Sequence, residues 1–237
     1  MIEAVGLTKH YGSFAAVQDL NFTIHRGEVV AFLGPNGAGK STAMKLLTGY
    51  LAPTSGIARV AGLDVAADRI KAAERYGYLP ENGPLYPDMT PRSLLSFLGE
   101  ARGMTPSSFA ERLDQVKQDC ALSEVLDKPI SQLSKGYRQR VGMAHVLLHN
   151  PDVLIMDEPT TGLDPNQIRH VRENIRKLGE TRTILLSTHL LQEVDAVASR
   201  ILLIDDGRIK FDGTSEELRA KGSGSMDAAF HEMTEVN

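Results

Sequence analysis

Two short stretches carry the plainest chemistry. The first is Gly34-Pro35-Asn36-Gly37-Ala38-Gly39-Lys40-Ser41-Thr42, preceded by the apolar run Val29 to Leu33 and followed by a helix-like segment from Met44 to Leu51. Consecutive backbone N–H groups in such a loop can wrap a polyphosphate, and the helix N-terminus adds positive partial charge. Gly37 and Gly39 permit the close approach and positive φ that side chains oppose. Lys40 is expected to reach β/γ-phosphates, and the Ser41 hydroxyl to help hold Mg²⁺. The second stretch, Val153 to Met156 followed by Asp157 and Glu158, reads as a buried strand ending in two carboxylates. Beside a phosphate loop, Asp157 is the candidate metal contact and Glu158 the group that orients or deprotonates an attacking water.

The elements that must position these residues are legible in outline. Ile2 to Leu7 reads as a strand, Lys9 to Gly12 as the turn after it, and Leu20, Phe22 and Ile24 as the buried face of the next strand. Ile57 to Val60 adds a short strand, so the N-terminal strands suggest an antiparallel sheet packed on a parallel core. Tyr76 to Leu79 reads as a core strand, and the prolines and glycine from Pro80 to Pro87 as an irregular loop. Phe109, Leu113, Val116 and Cys120 form one helical stripe, in which Cys120 packs as a small apolar residue. Asp164-Pro165 marks a helix start, Ile168, Val171, Ile175 and Leu178 its buried stripe, and Gly179 its end. Thr183 to Leu186 and Ile201 to Ile204 read as buried strands, the latter turning at Asp205 to Arg208 into Ile209 to Phe211. After a Gly-Ser linker, Met226, Ala229, Phe230 and Met233 share a helical face expected to dock on the body or on a partner subunit.

Composition sets limits. A chain of 237 residues suits one generous domain with a substantial core. Its 26 basic and 30 acidic residues give a net charge of −4 without a long run of either sign, so no nucleic-acid face is expected. A single cysteine excludes an internal disulfide and suits a reducing compartment. No apolar run approaches a membrane span, and the first residues lack the regions of a secretory leader. The expectation is a soluble intracellular protein.

A third stretch, Leu133-Ser134-Lys135-Gly136-Tyr137-Arg138-Gln139-Arg140, opens another helix with Ser134 as a natural N-cap. A second helix N-terminus with glycine in its first turn is a second phosphate-binding device. With it the chain resembles the ATP-binding cassette (ABC) ATPases over most of its length. Tyr11 matches that family's adenine-stacking aromatic, with Val17 following. Gly34 to Thr42 matches the nucleotide loop, and Ser134, Lys135 and Gly136 the signature motif. Asp157 and Glu158 match the metal-and-base pair, Gly162-Leu163-Asp164 the dimer-contacting loop, and His189 the switch histidine.

The resemblance implies an α/β P-loop NTPase fold: a RecA-like parallel core, an antiparallel β subdomain, and an inserted α-helical subdomain over about 81–150. It makes residues 1–222 one nucleotide-binding domain and 223–237 a linker with a short amphipathic helix. It implies ATP and Mg²⁺ as ligands, and head-to-tail dimerisation with a second cassette, each ATP lying between one phosphate loop and the other chain's signature. The coupled partner would be an integral membrane permease on whose cytoplasmic face the dimer sits, docking near Glu81 to Thr90. A soluble ABC ATPase acting in translation or DNA repair is the competing class; such relatives usually carry two cassettes or coiled-coil insertions, and this chain shows neither. Two departures stand out. Glu81 occupies the switch-loop position where the family usually has Gln facing Mg²⁺ and the γ-phosphate, and Lys135 replaces the signature's first glycine. These variants resemble the ABC-2-type exporter branch, including the gliding-motility-type ATPases. In a closed dimer, Glu81 of one chain and Lys135 of the other would flank one γ-phosphate and offset each other's charge.

Overall fold

A computed structural model describes residues 1–81, 83 and 85–234. Two positions of the loop expected from Pro80 to Pro87, and the last three of the tail expected over 223–237, lie outside the described residues.

Two sheets organise the chain. Strands β1 (Ile2–Tyr11), β2 (Phe14–Ile24), β4 (Ser55–Val60) and β5 (Leu63–Asp64) form an antiparallel sheet in the order β2-β1-β4-β5. The turn expected at Lys9 to Gly12 falls later. β1 runs on to Tyr11, which pairs with Phe14, and Gly12-Ser13 alone closes the hairpin. Its ladder bonds continue to the last residue, which local composition does not announce.

The second sheet has the order β10-β9-β3-β8-β7-β6. It comprises β3 (Val29–Leu33), β6 (Tyr76–Leu79), β7 (Val153–Asp157), β8 (Thr183–Thr188), β9 (Arg200–Asp205) and β10 (Arg208–Gly213). Every pairing is parallel except β10 on β9. β3, β7 and β8 are buried at every position, as befits a sheet covered on both faces. The register matters for function, because Leu33 lies opposite Thr188 and Asp157 opposite Ser187. Three strands therefore deliver their following residues (Gly34, Glu158 and His189) to one edge of the sheet. The carboxyl ends of parallel strands are where open α/β sheets bind ligands.

Helix α1 (Lys40–Leu47) follows the glycine-rich loop, starting and ending four residues earlier than the apolar pattern suggests. The short α2 (Arg69–Ala73) precedes β6. Between β6 and β7 come α3 (Pro91–Ala101), α4 (Pro106–Asp119), a single 3₁₀ turn and α5 (Lys135–Leu147). Both α3 and α4 begin with a Thr cap and a proline, Thr90 and Thr105 each accepting a first-turn N–H. Leu113, Val116 and Cys120 are buried as the spacing predicts, and burial pushes the Cys120 thiol up to about 12, which leaves it inert. Helix α6 (Pro165–Gly179) opens with a complete Asp164/Gln167 capping box. Only Ile175 and Leu178 of its stripe are fully buried, in the core that holds Ile184 and Leu186, and Val171 packs against that core part-exposed. The short α7 (Leu191–Val197) follows β8.

α8 (Ser215–Lys221) and α9 (Met226–Thr234) close the chain. Met226 and Ala229 sit in a core with Leu203, Phe211 and Leu218, and Phe230 and Met233 pack on it. The C-terminal amphipathic face thus docks on its own body. Among the described residues, no helix is long and apolar enough to cross a membrane.

Candidate functional site

The glycine-rich loop leaves β3 and enters α1 through Gly39, whose φ of 102° caps the helix without any side-chain hydrogen bond. A Cβ at Gly39 would lie 2.5 Å from the Ala16 carbonyl oxygen, so both conformation and packing require glycine there. The first-turn N–H groups, which no helical carbonyl can satisfy, are left available to an anion. The Lys40 ammonium is almost fully buried. It donates to the carbonyls of Gly34 (2.7 Å) and Pro35 (3.0 Å), and Glu158 Oε1 lies 3.4 Å away.

Glu158 is the junction of the site. Its φ of 49° puts a non-glycine residue in the left-handed region, a conformation held by its surroundings. Its N–H donates to Ser187 Oγ (2.9 Å), whose own hydroxyl donates to Asp157 Oδ1 (2.6 Å). Its Oε2 meets His189 Nδ1 at 2.9 Å and accepts from Thr161 Oγ1 at 3.2 Å. One carboxylate thus connects the lysine of the glycine-rich loop to the histidine after β8.

A cleft of about 290 Å³ lies over this junction, lined by Asn36, Gly37, Gly39 to Thr42, Glu81, Glu158, Thr161 and His189. Glu81 is exposed at its rim. Gly34 and Ala38 are buried beneath the loop, and Pro35 is half-buried at its start. Two sequence-predicted contacts do not line this cleft. Tyr11 lies outside the cleft, with the Lys9 ammonium 5.4 Å from its ring centroid. The aromatic lining the cleft is Phe14, which sequence matching missed. Val17 does not line the cleft either: Phe14 and Ala16 of β2 do, while Val17 is fully buried with its Cγ1 3.0 Å from where a Cβ on Gly39 would stand.

The metal position can be tested on the donors present. Among the described residues, no group of three or more His, Cys, Asp or Glu could hold an ion unaided. Mg²⁺ commonly takes only one or two protein ligands and completes its shell with water and substrate phosphates. The Ser41 hydroxyl lines the cleft and the Asp157 carboxylate lies at the end of β7, buried but for 3% of its surface. This donor set fits Mg²⁺ bound together with a nucleotide.

The second helix N-terminus is built differently. Ser134 caps α5 by accepting from Tyr137 N at 3.3 Å, and none of Ser134, Lys135 and Gly136 lines the 290 Å³ cleft. Lys135 packs against Gly162 and shares with Glu81 a neighbouring cleft of about 380 Å³. Within one chain, then, the two residues that depart from the family pattern border the same space. The first turn of α5 is also strapped to the segment after β7. Gln139 Nε2 donates to the Pro159 carbonyl at 2.7 Å, and a Cβ at Gly136 would lie 2.5 Å from Gln167 Nε2.

Other residues of the site carried no sequence signal. Ser187 bridges Asp157 to the Glu158 N–H, and buried Glu193 accepts from both Thr160 and Thr188.

A glycine-rich loop between a central parallel strand and its helix, facing an acid-tipped strand two places away, defines a P-loop nucleotide-binding fold. Residues 17–161 match the ABC transporter family, and the chain belongs to that family. It is 35% identical over 237 residues to the probable multidrug ABC transporter ATP-binding protein YbhF of Escherichia coli, covering 97% of this chain but 41% of that protein. It is 34% identical to the linearmycin resistance ATP-binding protein LnrL of Bacillus subtilis, covering 94% of this chain and 72% of the relative. A solved ATP-binding subunit of an ABC transporter superposes with a TM-score of 0.89 at 30% identity, covering 99% and 100% of the two chains.

Proposed function

We propose that this chain is the ATP-binding and ATP-hydrolysing subunit of a membrane exporter. The observation that carries the reading is the placement of Glu158, with one oxygen toward Lys40 and the other toward His189 and Thr161. Lys40 and the first-turn N–H groups of α1 bind and orient the triphosphate. The Ser41 hydroxyl and the Asp157 carboxylate would hold Mg²⁺, which when bound would draw charge from the phosphate oxygens. Water bonds to the γ-phosphorus as the bond to the bridging oxygen breaks, its proton passes to Glu158 Oε, and ADP leaves with the bridging electrons. His189 steadies the carboxylate through Nδ1. Glu81, exposed at the rim, would add a carboxylate to the donors available in the cleft.

The site is completed by a second cassette. The capped N-terminus of α5 lies outside this chain's own nucleotide cleft, which supports a head-to-tail pair in which Ser134, Lys135 and Gly136 meet the partner's nucleotide. Residues 1–222 act as one nucleotide-binding domain, with about 81–150 as its helical subdomain. Between α2 and the start of α4 runs a cleft of about 730 Å³. Its lining includes the exposed Ile70, with Met104 and the Ala101 end of α3, a helix on which Phe97 is also exposed. Such an exposed apolar surface supports docking of a permease segment, with the dimer on the cytoplasmic face of a membrane. The export direction rests on the multidrug and resistance proteins among the relatives and on the switch-loop and signature variants.

The test is Glu158→Gln. Phosphate release is expected to fall about 100-fold or more while ATP binding persists and a nucleotide-bound dimer accumulates on size exclusion. Undiminished turnover would refute the assignment.

A further inference from the structure

A buried carboxylate outside the nucleotide cleft ties together the two loops that carry the reacting groups. Glu193 lies in the first turn of α7, with 2% of its surface exposed. One carboxylate oxygen accepts from Thr160 Oγ1 and the other from Thr188 Oγ1 at 2.6 Å. Thr160 is two residues past Glu158, in the turn where Thr161 N reaches the Glu158 carbonyl (3.2 Å). Thr188 immediately precedes His189, and its hydroxyl also accepts the Leu190 N–H at 3.0 Å, bracketing the histidine. The Thr188 carbonyl in turn accepts the Gly34 N–H at 3.3 Å, at the start of the glycine-rich loop. Among the described residues Glu193 forms no ion pair, so its oxygens are committed to these hydroxyls.

We propose that Glu193 is a positioning residue for hydrolysis: its carboxylate sets the separation of the Glu158 loop from the His189 loop, and so the Glu158–His189 hydrogen bond. The inference rests on the catalytic reading of Glu158 and His189 given above. The chemistry demands this side chain. A carboxylate supplies two acceptors to two hydroxyl donors, whereas an amide supplies one acceptor and one donor. In Glu193→Gln, Thr188 would receive an N–H in addition to that of Leu190, and its own hydroxyl proton would lose its acceptor in a dry site. Asp, one methylene shorter, cannot span both loops from the same backbone position.

The experiment measures steady-state ATP turnover, nucleotide affinity and thermal stability for Glu193→Gln, Thr160→Val and Thr160→Ser. If Glu193 positions the loops, Glu193→Gln and Thr160→Val each lower kcat about 10-fold or more while nucleotide affinity stays within about twofold, and Thr160→Ser recovers most of the rate. A folded Glu193→Gln with wild-type kcat would overturn the proposal. So would rate and affinity falling together, or Thr160→Ser being as slow as Thr160→Val, because either marks a merely structural role. Should Glu193→Gln fail to fold, the two Thr160 variants decide by the same readouts. Glu158→Gln run in parallel separates the hypotheses: if it is slow while the others are not, only the positioning role fails, and if it is not slow, the catalytic reading itself fails.

Discussion

Two helix N-termini in this chain were both expected to bind phosphate, and they are built in opposite ways. The first, on α1, is capped by a glycine with no side chain to offer, and a buried lysine stands at its mouth. The second, on α5, is capped by its own Ser134 hydroxyl and packed against the segment from Pro159 to Gln167. One end is open within the chain, and the other is already satisfied. An open N-terminus costs helix stability but is ready for an anion, whereas a capped one is stable alone and must give up or share its cap to bind. The contrast assigns primary affinity to α1 and a conditional, partner-dependent contact to α5.

Breaking the open end should have the largest effect after loss of Glu158. Lys40→Ala is expected to weaken ATP binding about 100-fold, roughly 3 kcal/mol, by isothermal titration, because it removes the charged donor at the loop's mouth. Retained affinity would erase the distinction. Next in size is a pH effect at the far end of α5. Burial, reinforced by the Arg102 cation, holds both His145 and His149 down to about 4, below their ordinary 6.5. They are therefore neutral in the folded chain, while the unfolded chain takes up protons as pH falls through 6.5. Their contribution to stability is complete above pH 6.5 and is lost as pH drops toward 4. Tm should fall across that window, and His149→Gln should flatten the slope.

Breaking the capped end should do less. Ser134→Ala is expected to cost about 1 kcal/mol in urea unfolding while leaving ATP affinity of the monomer unchanged. An equal loss of affinity would mean that α5 contributes within one chain. The smallest effect expected is the coupling of Glu81 and Lys135, which border one cleft here and would flank one γ-phosphate across a dimer. Glu81→Gln and Lys135→Gly, singly and together, should give a coupling of about 0.5 to 1 kcal/mol in turnover, and strict additivity would remove any link between them. Repeating the cycle on ATP affinity at protein concentrations below dimerisation tells an intrachain pair from an interchain one.

Much of the site was legible because its logic is local. The glycine loop, the acid-tipped strand and the Asp164 cap each announce themselves within a few consecutive residues, and the structure carries strands or helices at those places. What escaped was the network joining them. Ser187 sits within a fully buried strand and reads as core, and the Thr160–Glu193 bond spans 33 residues with no pattern at either end. Phe14 pairs directly with Tyr11 across a tight hairpin, so neither local sequence nor register separates the two, and only the packing around the cleft shows that Phe14 borders it. Side-chain bonds between loops depend on strand order, which short motifs do not encode.

The hydrogen bond from Gln139 to the Pro159 carbonyl has a mechanical consequence. Pro159 adjoins Glu158, and its ring leaves that junction little freedom in φ. A torque applied to α5 would thus be delivered to the backbone next to Glu158 with little slack. Force arriving through the helices between β6 and β7 would be felt as a change in the aim of one carboxylate, making hydrolysis sensitive to load.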